Sequence, residues 1–133
     1  MAKHLRKGDE SHRRWKIIDA SRAGDASLVP QLLARLDGDE SYENKRHIVR
    51  ALGNIGGLPA EEKLIELLGT QSGLILGDIA QSLGKLGSRA AIPALKELCD
   101  HEAEWVRQNV EFALRRLDKR RSTSRRNRID SAR

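Results

Sequence analysis

A block of residues returns along this chain every 31 positions. Ile48–Gly56 (IVRALGNIG) recurs as Ile79–Gly87 (IAQSLGKLG) and again as Val110–Asp118 (VEFALRRLD). The shared step aligns Ile48, Ile79 and Val110, then Leu52, Leu83 and Leu114, then Ile55, Leu86 and Leu117. A second set keeps the same period: Leu33, Leu64 and Leu95, with Leu36, Leu67 and Leu98. Self-similarity at this length marks supersecondary units that cannot bury an apolar face alone and do so by stacking. The expected fold is therefore all-α, a short α-solenoid of helix hairpins with about seven helices.

Apolar spacing and end signals place those helices. The first is predicted over residues 11–22 and the next over 26–36, separated by Gly24-Asp25. Others follow over 42–55, 60–68, 73–86 and 89–99, and a last one starts near Glu102 and carries apolar positions through Leu117. Gly56-Gly57 and Gly87-Ser88 end the longer helices, since a residue without Cβ tolerates the left-handed cap. Each unit is then a shorter A helix leading into a longer B helix. The first helix matches a B helix without its partner, because Ile17 and Ala20 stand 31 before Ile48 and Ala51, and it caps the array. In the last unit Arg115 stands where Gly53 and Gly84 stood, and Asp118 replaces Gly56 and Gly87, so the final helix lacks a stop. The organisation expected is a basic arm over 1–10, the solenoid over 11–121 and a basic, disordered tail over 122–133.

Charge divides the chain in the same way. Residues 1–16 hold six basic and two acidic groups (+4), residues 115–133 nine and two (+7), and residues 17–114 ten and fifteen (−5). An acidic body thus carries basic ends. One cysteine, Cys99, forms no internal disulfide and suits a reducing compartment. The basic start has no apolar run behind it, and no stretch reaches the length of a membrane span, so a soluble cytoplasmic protein is expected.

The pattern "VR..A..ALG.IG", a short turn and "A...L..L" is carried by Val106-Arg107, Val110 and Ala113-Leu114, by residues 51–56 (ALGNIG) and by residues 82–87 (SLGKLG). It resembles the HEAT-like repeats of the phycobilisome-lyase type over roughly residues 25–118. The chain departs from it where Ile75-Leu76 and Asn44-Lys45 replace Val-Arg. The resemblance implies the solenoid architecture and covers bilin-lyase subunits, adaptors and scaffolds alike.

Catalytic signatures are missing. His4, His12, His47 and His101 are scattered without metal-ligand spacing, and no phosphate-loop run accompanies the glycines. No cofactor or metal is expected, and Cys99 is read as a small buried apolar group. The surface carries more. Residues one place after the buried B-helix row read Ile18, Val49, Ala80 and Glu111; beside them run Trp15, Arg46, Gly77, Gln108 and Arg14, Lys45, Leu76, Arg107. Trp15, Ile18, Lys45, Arg46, Val49, Leu76, Ala80 and Arg107 are thus expected to line a concave groove for a protein partner; the competing reading is a wider buried stripe, with Ile18 and Val49 packing between repeats. Trp105 and Phe112, seven apart on the last helix, form a second stripe that either packs under the C-terminal extension or marks a docking end or homodimer contact. Arg115, Arg116, Lys119, Arg120, Arg121, Arg125, Arg126 and Arg128 make a basic tail suited to nucleic acid or an acidic partner. Two readings stand beside the adaptor: a nucleic-acid accessory protein acting through its basic ends, and a bilin-lyase-type subunit implied by the resemblance.

Overall fold

In the computed structural model the backbone is described for residues 2–131 and the side chains for residues 10–118. The described residues form seven α-helices: α1 Ala2–Ala23, α2 Val29–Asp37, α3 Tyr42–Ile55, α4 Leu58–Leu68, α5 Gly73–Leu86, α6 Ile92–Glu97 and α7 Glu104–Ser131. Short 3-10 turns, Ala26–Leu28 and Arg89–Ala91, lead into α2 and α6. They take the first residues of helices expected to start at 26 and 89, because Pro30 and Pro93 fit the first turn of an α-helix.

The helices lie in two layers. α1, α3, α5 and α7 pack side by side in chain order, and α2, α4 and α6 line their back. This is the hairpin stack that the 31-residue period predicts. Ile48, Ile79 and Val110 have no exposed surface, nor do Leu52 and Leu83; Leu64 and Leu95 fill the A-helix side. Ile17 and Ala20 of α1 are buried in the same rows.

Two glycines set how closely the inner helices approach. A Cβ at Gly53 would stand 2.6 Å from Ser82 Cβ, and one at Gly84 would stand 2.8 Å from Ala113 Cα. Ser82 Oγ donates to the Val49 carbonyl at 3.1 Å across the first of these contacts, satisfying a buried hydroxyl.

The two expected glycine stops differ in detail. Gly87 is left-handed (φ 76°, ψ 30°), while Gly56 combines φ 82° with ψ −159°, a positive-φ region outside the left-handed helix that also belongs to glycine. α1 takes in residues 2–10, so the basic arm shares a helix with the cap. α7 runs to Ser131 through residues expected to be disordered: no glycine or proline interrupts 118–131.

Candidate functional site

Each inner helix of the stack has three kinds of side. One faces the A helices, one or (on α3 and α5) two face neighbouring inner helices, and one faces outward. The outer row comprises Glu43, His47, Arg50 and Asn54 on α3, then Leu74, Asp78, Gln81 and Lys85 on α5, then Trp105, Asn109, Phe112 and Arg116 on α7, each set 31 after the last; all but Asp78, which is buried, are exposed or half-buried.

This differs from the expected groove. Val49 and Ala80 are fully buried and Leu76 is 2% exposed. These residues are inter-repeat core, because one position past the buried row points an inner helix at its neighbour. Ile18 is half-buried on α1. Lys45 is half-buried, and Arg46 is taken up by an ion pair. Arg107 is exposed on the end side of α7, its Nη1 donating to the carbonyls of His101 at 2.7 Å and Glu102 at 3.0 Å. Trp15 is exposed on α1, but the α7 aromatics lie three repeats further along the stack. Cys99, expected to be buried, is exposed.

The second expected stripe is where the structure gathers large apolar surface. Trp105 and Phe112 are each 41% exposed, and Leu74 is 45% exposed. Trp105 lies over Gly77, whose missing side chain makes room for the indole, and its Nε1–H donates to the Leu74 carbonyl at 3.1 Å. The ring is therefore held in place while much of its surface stays open. From the other side, Tyr42 on α3 accepts the Ile75 backbone N–H at 3.0 Å through its hydroxyl. The Arg116 guanidinium stands 6.0 Å from the Phe112 ring centroid, within cation–π range. Leu74 and Tyr42 were missed by sequence reasoning; stepping back 31 from Trp105 lands on Leu74 and would have found the first.

Towards α1 the same face becomes ionic. Asp78, 2% exposed, accepts from Arg46 Nε at 2.6 Å and from Arg50 at 3.4 Å. The Asp78 hydrogen bond raises the Arg46 pKa, outweighing the opposing effect of burial. Arg14 bridges Glu10, Glu43 and Asn44, the last at 2.8 Å. Burial works to raise the Glu40 carboxyl, but hydrogen bonds from Arg13 and Asn44 outweigh it and hold the pKa below its usual value. His47 is lowered, first by burial and then by Arg50 and Arg14.

Among the described residues no group of three His, Cys, Asp or Glu could hold a metal ion, and no helix is long and apolar enough to cross a membrane. Arg115 pairs with Glu111 at 2.6 Å. The side chains of Lys119, Arg120, Arg121, Arg125, Arg126 and Arg128 lie outside the described residues. The arrangement sets exposed apolar side chains, Leu74, Trp105 and Phe112, beside an ionic patch centred on Asp78.

Stacked helix hairpins presenting one open row of inner-helix side chains define the α-solenoid class of interaction scaffold. Residues 29–115 match the HEAT repeats, and the chain belongs to that family. It is also similar to the phycocyanobilin lyase subunit alpha of Picosynechococcus sp., 40% identical over 83 residues that take in 58% of this chain and 31% of that protein. The chain thus spans about a third of that relative's length.

Proposed function

We propose that this chain is a non-catalytic adaptor that binds a protein partner on the open face of α5 and α7, with Trp105, Leu74 and Phe112 as anchors. The carrying observation is that three large apolar side chains from adjacent repeats are exposed on one row while the buried rows are filled. Trp is enriched among residues that dominate binding energy, above all where it is held rigid in advance. The Leu74 carbonyl and Gly77 supply that restraint here. The basic ends then serve as a second, electrostatic contact for an acidic partner.

The test uses the whole chain. Leu74→Glu and Phe112→Glu each place a charge on an exposed position and are expected to leave thermal stability within about 0.5 kcal/mol. Capture of proteins from the native host, identified by mass spectrometry, should lose the same specific protein with both variants. Retention of every captured protein by both would refute the anchor assignment.

A second reading is favoured by one observation, the 40% identity to a lyase subunit. Under it the chain is a subunit that handles a bilin together with another chain. Mixing the protein with phycocyanobilin and recording the visible spectrum tests it: a shifted, saturable absorbance supports the reading, and an unchanged spectrum shows that this chain alone does not hold the bilin. The nucleic-acid reading has weaker support, since Arg115 is engaged with Glu111 and Arg116 stands over Phe112.

A further inference from the structure

The outward side of α7 reads alike from either end. Trp105 and Phe112 stand seven residues apart, about 10 Å along the axis, and each keeps 41% of its surface open. Gln108, exposed between them, donates through its amide to Glu104 Oε1 at 3.2 Å. A glutamine amide has two N–H donors and an acceptor oxygen, so this bond leaves Gln108 with both kinds of group to offer.

Charge is sorted along the same helix. Its first residue and the loop before it hold the exposed acids Asp100, Glu102 and Glu104, while Arg115 and Arg116 are exposed three turns on. The sequence through which α7 then continues is basic. Leu74 extends the apolar part onto α5, because Trp105 Nε1–H is tied to its carbonyl.

A two-fold interface needs a surface that complements itself, residue i meeting j while j meets i. The α7 row meets that condition in one orientation. A second α7 laid antiparallel about Gln108 sets each Trp105 opposite the other copy's Phe112 and the two Gln108 amides together. It also brings the acidic start of each helix beside the basic far end of the other. Parallel mating would oppose Glu104 to Glu104 and Arg116 to Arg116, like charge on like. The antiparallel course sends the two basic C-terminal runs of α7 in opposite directions, so they do not repel one another.

We infer that the occupant of the Trp105, Leu74 and Phe112 ledge is a second copy of this chain, docked antiparallel along α7, an assignment that rests on the anchor role proposed above and names its partner. The specific protein captured from the native host is then the host's own copy of the chain.

Sedimentation equilibrium of the full-length chain tests this. The weight-average mass should rise with concentration to that of a dimer and no further. Phe112→Glu should weaken dimerisation about a hundredfold or more, because it buries a charge against the other copy's Trp105. Glu104→Arg and Arg116→Glu should each weaken it about tenfold. Both changes in one chain should restore it, since each exchanged end again meets its opposite. Circular dichroism checks that every variant keeps its helices. A chain that is monomeric at every concentration would overturn the second-copy assignment; the anchor role survives that result if Leu74→Glu and Phe112→Glu still lose one captured protein. A dimer indifferent to Phe112→Glu, or one that the double exchange leaves weak, would overturn the assignment as well.

Discussion

α5 and α7 hold the same register in the repeat and meet different surroundings. On α5, Leu76, Ala80 and Gly84 are sealed between α3 and α7; on α7 the equivalent Arg107, Glu111 and Arg115 are exposed. The outer row shows the converse. α5 contributes Leu74 together with the buried, ion-paired Asp78, whereas α7 contributes Trp105 and Phe112. A single angular position is therefore core where a neighbouring helix follows and surface where none does. The polar identity of residues 107, 111 and 115 is what stops the array from presenting a sticky end.

The largest expected effect comes from forcing a side chain into the α5 lateral row. Gly84→Leu and Gly53→Leu should each destabilise by about 3 kcal/mol or more, because their Cβ atoms alone already meet Ala113 and Ser82 too closely. Arg115→Leu, at the matching place on α7, should change stability by less than about 0.5 kcal/mol. Chemical denaturation of the three variants side by side breaks the comparison if their losses are equal.

Next in size is the ion pair beneath the open face. Arg46→Ala leaves the buried Asp78 with only the longer contact to Arg50, and a loss of about 2–3 kcal/mol is expected, somewhat under the cost of a fully orphaned buried charge. Arg46→Ala combined with Asp78→Leu should recover part of it. Smaller again, Glu111→Ala removes an exposed i, i+4 pair with Arg115 and should cost about 0.3–0.5 kcal/mol, fading in high salt. The smallest is a pH effect. The folded-state pKa of His47 lies below its usual 6.5, so the unfolded chain binds its proton more readily. Stability should therefore fall as pH drops below about 6.5, and His47→Gln should flatten that slope in pH-dependent melting curves.

Much of the fold was legible because its rows repeat. Ile48/Ile79/Val110 and Leu52/Leu83 announced the core, Ile17 and Ala20 announced the capping helix, and the replacement of Gly84 by Arg115 announced the end of close packing. The direction of the open face was not legible from one helix. Residues one place and two places past a buried row both leave it on a helical wheel. In a stack, the first direction meets the next repeat and the second meets solvent, and only the neighbours decide which. Hence Val49, Leu76 and Ala80 read as a groove while Leu74 went unnoticed. The buried Asp78 left a fainter signal: the one acid of α5, set among Ile75, Leu76, Gly77 and Ile79, with Arg46 and Arg50 about one repeat earlier.

The exchange of those two rows is the centre of the account, and one pair of melting curves tests it. Read as an exposed groove residue, Ala80 should accept Glu within about 0.5 kcal/mol. Sealed between repeats, it cannot: Ala80→Glu should bury an unpaired carboxylate and lose about 4 kcal/mol or more, while Leu74→Glu melts with the unaltered chain. An Ala80→Glu protein that keeps its full stability, or a Leu74→Glu protein that unfolds, would contradict the assignment of core and face.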